Sequence, residues 1–507
     1  MRLTNTLVLL EASVQPTIGA PADLQPRGAF RSFFSMPVAL AALLIVVTVF
    51  TVRGRFNDSD MWWHLKVGEL IWNSHSIPRV DVFSFSVAGH PTTAQEWLSQ
   101  VTIYGAYHFG EYRGLMLWLC ILASAVVLAG YVLSALYSGN VKIGFLGGLV
   151  TWLFATVGFA VRPHLIGYLL LLCELLILLL GKRRDARWFY ALPPIFALWI
   201  NFHSSFVFGF VVLAVILGCS FMDFEWGLVA AQRWRWSERK TLTIAAGLSG
   251  LALFLNPIGL KLIWYPFDVM INQRVSVGSV TEWQQSDFSD PHGLGLLIVA
   301  GLIIAVALIR CAKIYVYELL LLAVVFYFAV RHVRMDVLFG IVAAPILCRL
   351  LADAWDRYQP EHDRILPNAI LILIAAIAVV LGFPSSRNLA EEVNNGNPVK
   401  AVEFLRRSGL SGRMLNDYAY GGYLIWAAPE HPVFVDGRAD VYDQAGVFAD
   451  YMKFTTSEIG SQFILDKYRI DYCFVAQDEP IARVLPLLPG WRKVYGDKQA
   501  VIYARQK

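Results

Sequence analysis

Apolar runs long enough to cross a bilayer follow one another along this chain, and a protein dissolved in water has no core large enough to bury them all. A helix crossing a hydrocarbon layer of about 30 Å needs about 20 mainly apolar residues. Segments of that character lie at 36–52, 115–137, 143–161, 164–181, 187–202, 204–222, 241–256, 293–309, 314–331, 335–351 and 367–384. They predict a mainly α protein, a polytopic bundle of about eleven transmembrane helices. The balance of 57% hydrophobic to 16% charged residues excludes an ordinary soluble domain. Segment 187–202 carries Pro193 and Pro194 and is the weakest of the series; without it, every later side assignment inverts.

The first long apolar run, from Pro37, follows a polar lead spanning residues 1–35, with no short apolar stretch and small-residue cleavage site before it. That pattern predicts an uncleaved signal anchor. Cytoplasmic loops retain Lys and Arg. An inside N-terminus places Arg27, Arg31, Lys142, the run KRRDAR at 182–187, Arg233, Arg235, Arg239, Lys240, Arg310, Lys313, Arg349, Arg357 and Arg364 in the cytoplasm; the opposite loops are poorer for their length, although Arg53 and Arg55 argue mildly the other way. The expected order is a cytoplasmic lead over 1–35, a bundle over 36–384 with a long first outer loop at 53–114, and an extracytoplasmic α/β domain over 385–507. The net charge of +4 is spread over these loops and carries no nucleic-acid reading. The six cysteines are scattered without metal-ligand spacing and read as packing residues.

In the C-terminal domain, Asn397-Pro398 opens a helix at VKAVEFLRR that Gly409 and Gly412 close. Strands are expected at 413–417, 433–437, 471–476, 491–496 and 499–505, with helical stretches at 420–428, 444–456 and 459–468. No phosphate-binding glycine loop or nucleophile elbow occurs in it.

Ionisable groups near helix ends are costly in a bilayer, so where they gather a bundle opens to a polar cavity. On the outer side stand Asp58, Asp60 and His64 in NDSDMWWHL, Glu96, Arg162 and His164 in VRPHL, and Asn201 and His203 in NFHSS. Glu282 and Asp287, then Arg331, His332 and Arg334 in VRHVR, complete the set. Two aspartates two residues apart suit a shared divalent cation, or a general base for an acceptor hydroxyl; they equally suit a helix cap. Asp58 is slightly favoured for the chemistry, because Asp60 stands nearer the interfacial helix WWHLKVGELIW as its candidate cap. The three arginines fit a lipid phosphate with forked hydrogen bonds, or snorkel to headgroups. Asp436, Arg438 and Asp440 in VFVDGRADVY end an expected strand, where α/β sheets place ligands, although DG is also a turn signal.

These residues resemble the C-type glycosyltransferases, membrane enzymes dependent on lipid-phosphate sugars. The blocks DSDMWWHLKVGE, IPRVDVFSFS, QEWLSQ, NFHSS, YGGYLIW and VFVDGRADVY resemble a bacterial branch of that superfamily, over most of residues 40–475. The resemblance implies inverting hexosyl or pentosyl transfer from a polyprenyl-phosphate donor to a glycan, lipid or protein acceptor, at the outer face of the bacterial inner membrane. It implies Asp58 or Asp60 as catalytic base or as ligand to Mg2+ or Mn2+. It implies Arg162, Arg331 and Arg334 on the donor phosphate, with His64, Glu96, His164, Asn201, His203, Glu282, His332, Asp436 and Arg438 about the substrates. A flippase or transporter of a lipid-linked or anionic solute, or a noncatalytic protein of envelope-polysaccharide assembly, would use similar residues. A transporter would carry interrupted helices in paired halves with charges at mid-depth, and no such pairing is visible.

The side assignment predicts that single cysteines placed near positions 90 and 450 react with a membrane-impermeant thiol reagent in intact cells. Reaction only after the cytoplasm is opened reverses the orientation.

Overall fold

The computed structural model describes residues 29–55, 58–272, 278, 281–456 and 462–506, so most of the 1–35 lead lies outside the described residues. Each apolar segment carries a helix: Met36–Val52, Trp97–Ser138, Val141–Ala155, His164–Arg183, Leu192–Phe202, Phe206–Cys219, Trp236–Ala252, Pro291–Ile309, Val316–Arg331, Asp336–Leu350 and Ile365–Gly382. Five stretches, Trp97–Ser138, Val141–Gly158, His164–Arg183, Pro291–Ile309 and Ile365–Gly382, are long and apolar enough to cross a membrane. Met36–Val52 and Phe206–Cys219 are apolar but shorter. Length therefore supports fewer crossings than the expected eleven. The shortfall is plain at 187–202, where a 3-10 turn over Ala186–Ala191 precedes the helix Leu192–Phe202. The two prolines fall in its first turn, where no intrahelical N–H is needed. Its 11 residues rise only about 16 Å.

The helix Trp97–Ser138 breaks at Glu111, where the backbone turns to φ 49 and ψ −137. Gly114 closes against the break, and a Cβ there would stand 1.9 Å from the Ala106 carbonyl oxygen. The apolar run from 115 is thus the part beyond the kink, and the part before it belongs to the first loop. That loop also carries a helix over the expected stretch, Ser59–Ser74, with Met61, Trp62, Leu65 and Ile71 buried. Not foreseen were the amphipathic helix Leu260–Asn272 and a small sheet of β1 (Phe224–Trp226), β2 (Val229–Ala231) and β3 (Ile314–Tyr315).

The C-terminal domain is α/β, with β4 (Met414–Asn416), β5 (Tyr472–Ala476), β6 (Trp491–Gly496) and β7 (Ala500–Arg505) in the order β4-β5-β7-β6. β4 runs parallel to β5 and the other pairs are antiparallel. The strand expected at 433–437 does not join this sheet. Its backbone is taken up elsewhere: Val433 exchanges hydrogen bonds with Phe83 and Phe85 of the first loop, and the Asn416 side chain accepts from the Phe434 N–H at 2.7 Å.

This pairing docks the domain on the loop. The helix Tyr418–Ala427 lies against Ser59–Ser74, and Gly422 permits the approach, since a Cβ would stand 2.3 Å from the Ser59 carbonyl oxygen. Arg438, 7% exposed, is shared by the two segments: it binds Asp436 through Nη2 at 2.5 Å and Asp81 of the loop through Nη1 at 2.7 Å. Loop and domain consequently occupy one end of the bundle.

Arg438→Leu leaves two buried carboxylates without their cation, a loss of about 3–5 kcal/mol. We expect a clear fall in the thermal midpoint of the detergent-solubilised protein and faster proteolytic release of the C-terminal domain. An unchanged midpoint would show that the ion pair does not hold the two segments together.

Candidate active site

Ten of the polar residues named from the sequence, Asp60, His64, Glu96, Arg162, His164, His203, Glu282, Arg334, Arg438 and Asp440, line one cavity of about 640 Å³. It lies where helix ends of the bundle meet the first loop and the C-terminal domain. Asp60 and His64 share a face of Ser59–Ser74, four residues apart. Glu96 stands just before the helix Trp97–Ser138, Arg162 just before His164–Arg183, and His203 just after Leu192–Phe202. Glu282 and Arg334 come from short 3-10 turns at Thr281–Trp283 and Val333–Met335.

Arg162 gathers the acidic side of the site. Its Nε donates to Asp58 Oδ2 at 2.5 Å, and its Nη1 lies 2.6 Å from Glu282 Oε1 and 3.1 Å from Asp60 Oδ2. Burial pushes the Asp60 carboxyl up to about 6, against the pull of Arg162 and with the push of Asp58 and Glu282. Burial also acts on Glu282, but Arg162 and Arg334 outweigh it and hold that carboxyl below its ordinary value. At neutral pH both are mainly ionised.

Glu96 is different. Burial lifts its carboxyl to about 8, although Arg334 and Arg162 pull it down. His64 and His203 are held well below their ordinary value, first by burial and then by neighbouring positive charge. Glu96 Oε1 lies 3.2 Å from His203 Nε2 and Oε2 lies 3.8 Å from His64 Nε2. Those distances would suit ion pairs, but burial opposes both charges, so the trio is a neutral carboxylic acid between two neutral imidazoles.

Arg334 is less committed than Arg162. Its guanidinium lies over the Trp283 ring at 4.5 Å and reaches Glu282 only at 4.0 Å. Trp283 is fixed in turn by its carbonyl, 2.7 Å from His332 Nδ1.

The remaining named residues lie elsewhere. Asp58 stands behind Arg162 and caps the loop helix, accepting from the Asp60 N–H at 2.9 Å. The cap is thus Asp58 and not Asp60, because the helix begins at Ser59. Asn201 accepts from Trp97 Nε1 at 2.9 Å and donates to the Leu255 carbonyl at 2.9 Å, a clamp between segments. Arg331 is exposed, and the extended backbone of His332 carries the chain away from it before Arg334. Asp436 is fully buried and engaged by Arg438 and by the Tyr442 hydroxyl. Asp287 is exposed and caps Ser289.

Sequence reasoning did not single out Asp81, Tyr265 or Tyr418. Tyr265 and Tyr418 line the cavity, and Tyr265 donates to Asp440 Oδ2 at 3.1 Å. Asp81 lies inside the block IPRVDVFSFS, and its burial against Ser84 and Arg438 is the reason that block has a polar residue in an apolar setting. Gly437 meets the site directly: a Cβ there would stand 1.9 Å from Asp60 Oδ1 and 2.8 Å from Trp63 Nε1. The DG pair therefore serves as a close approach to Asp60.

Among the described residues no three His, Cys, Asp or Glu side chains are spaced for a metal ion. The guanidinium of Arg162 fills the space between the carboxylates that Mg2+ or Mn2+ would need. The donor set does not fit a divalent cation.

No protein-family model matches the sequence, and no curated protein matches it. Solved structures do. The oligosaccharyltransferase of Archaeoglobus fulgidus, tethered with an acceptor peptide containing an NVT sequon, aligns over 94% of this chain and 75% of its own, with a TM-score of 0.55 and 13% identity. The archaeal oligosaccharyltransferase AglB of the same organism, in complex with an inhibitory peptide and a dolichol-phosphate, gives 0.53 and 12% over 95% of this chain and 75% of that one. ArnT from Cupriavidus metallidurans, bound to undecaprenyl phosphate, gives 0.51 and 14% over 92% and 97%. At these identities the likeness is one of fold: the chain has the fold of the C-type glycosyltransferases.

Since the folded carboxyl of Glu96 titrates above its unfolded value, the stability it confers is complete below about 4.5 and is lost as pH rises through about 8. The thermal midpoint of the wild type is expected to fall from pH 6 to 9 more steeply than that of Glu96→Gln, which stays neutral throughout. Parallel profiles would remove the protonated carboxyl from this account.

Proposed function

We propose that this chain is a membrane glycosyltransferase that moves a sugar from a polyprenyl-phosphate donor to an acceptor at the outer face of the cytoplasmic membrane, in envelope glycan or lipid modification. The observation that carries this reading is Asp60, a carboxylate facing a cavity of about 640 Å³ that the loosely paired cation of Arg334 also lines. A weakly acidic hydroxyl must lose its proton as it attacks, and a carboxylate titrating near 6 can take it at neutral pH. As the acceptor oxygen bonds to the anomeric carbon, the bond from that carbon to the phosphate oxygen breaks. The electron pair leaves with the lipid phosphate, where Arg334 meets the charge with a planar fork. A single displacement of this kind inverts the anomeric centre.

Asp58 and Arg162 act through others: the first caps the helix and holds Arg162, and the second orients Asp60 and Glu282. Glu96 and His203 supply a neutral hydrogen-bonding wall for sugar hydroxyls. The dolichol-phosphate and undecaprenyl phosphate held by proteins of this fold support a lipid-linked donor. The topology that accompanies this reading has an odd number of crossings over 36–384, a cytoplasmic N-terminus, and the first loop and domain 385–507 outside. The cavity sits at one end of the bundle, which favours transfer at an interface over a path through the membrane.

With purified protein and a panel of radiolabelled polyprenyl-phosphate sugars, Asp60→Asn should lower turnover about 10²–10⁴-fold with folding retained. Arg334→Ala should weaken donor binding, and Lys should restore it only in part. Near-normal transfer by Asp60→Asn in a working assay would sink the catalytic assignment and leave a noncatalytic scaffold.

A further inference from the structure

A second cavity, of about 470 Å³, lies at the far end of the bundle from the site. One helix measures the separation: His164 lines the first cavity and Lys182 the second. At 1.5 Å per residue those positions stand roughly 27 Å apart, close to the thickness of a hydrocarbon core. The inner wall is aliphatic, with Leu133, Leu178 and Leu321 all buried. The lining also carries four cations, Lys182, Arg183, Arg349 and Arg357, against two carboxylates, Glu318 and Asp353, and of the cations Arg183 and Arg357 are exposed.

The cations differ in what they already hold. Arg349 is committed to Glu318, with Nε and Nη2 at 2.7 and 2.5 Å, and Lys182 to Glu238 at 2.7 Å. Arg183 donates to the carbonyls of Leu136 and Tyr137, both neutral acceptors. Arg357 is exposed and makes no hydrogen bond or ion pair among the described residues. Two guanidinium charges therefore lack a counterion at the exposed part of a slot that water would wet poorly. Guanidinium groups match phosphate oxygens with paired N–H donors, and basic pockets between membrane helices suit anionic headgroups.

We infer that this cavity is a binding site for an anionic glycerophospholipid, its phosphate on Arg183 and Arg357 and one acyl chain along the Leu133, Leu178 and Leu321 wall. The site is separate from the transfer chemistry and does not rest on it. In the sequence these arginines read only as markers of sidedness. A soluble phosphate would use the two arginines but leave the aliphatic wall uncovered; a zwitterionic lipid would cover the wall but bring no net negative charge.

The test uses the full-length protein in detergent, with native mass spectrometry after titration with dioleoyl phosphatidylglycerol or dioleoyl phosphatidylcholine. A surface cation attracts an anionic lipid by about fivefold in affinity, so phosphatidylglycerol should be retained at least that much better. The preference should fall partly in Arg357→Gln and close to unity in Arg183→Gln/Arg357→Gln. Arg357→Gln touches no internal contact, so it keeps the test sound if loss of the Arg183 carbonyl bonds unsettles the fold. Arg413→Gln, in the C-terminal domain, should leave the preference intact. Equal retention of the two lipids, or a preference that survives the double variant, would overturn the assignment. Displacement of phosphatidylglycerol by equimolar undecaprenyl phosphate, or by millimolar inorganic phosphate, would assign the pocket to another source of phosphate and overturn it as well.

Discussion

One guanidinium organises the site. Arg162 binds Asp58 and Asp60 from the first loop and Glu282 from a turn far along the chain, so it ties two separate segments to the start of a third. An arginine held by three acids cannot leave without exposing buried charge to itself, a loss of about 3–5 kcal/mol for even one broken pair. That energetic lock fixes where Asp60 points and leaves Arg334 as the cation with charge to spare. Division of labour between two arginines of one cavity follows from how many carboxylates each already holds. Arg162 gives geometry, and Arg334 is left free, in the proposed reaction, to meet an anion.

Around that lock the C-terminal domain acts as a wall of the site. Its loop at 433–438 takes its backbone partners from Phe83 and Phe85 of the first loop, and Arg438 crosses to Asp81. Gly437 then passes so near Asp60 that any side chain would collide with the carboxylate. The domain contributes shape through a glycine and rigidity through an ion pair, while the acids and bases come mainly from the bundle and its first loop.

Much of this was legible in the sequence, and the reasons for the rest are specific. The apolar runs mark the helices because hydrophobic length is a one-dimensional property. Asp60 and His64, read from the sequence only as sharing the outer side, come together because a helix places residues four apart on one face. The role of Asp58 as cap was misjudged by two residues, which is the usual uncertainty of a helix boundary. The segment 433–437 has strand composition, yet its partners are Phe83, Phe85 and the side chain of Asn416, and long-range pairing leaves no local periodic signal. Arg331 and Arg334 looked equivalent in VRHVR; the extended residue His332 between them separates an exposed cation from a cavity cation. Neither the docking glycines nor Asp81 announce themselves without knowing what they touch.

The protonation states give the site a further property that its residue list alone would not suggest. Asp60, Glu96 and Glu282 share one cavity, yet burial and charge separate them: Glu282 sits below its ordinary range, Asp60 near 6 and Glu96 near 8. The ordering follows the balance of burial against the guanidiniums of Arg162 and Arg334: burial is outweighed at Glu282, which both contact, and wins over Arg162 at Asp60 and over Arg334 and Arg162 at Glu96. A group that stays neutral can donate to a hydroxyl, and a group that is ionised can accept a proton from one. In the proposed transfer, graded carboxyls would let a single pocket present a donor and a base to the same substrate, without either role requiring a change of pH or a rearrangement of the chain.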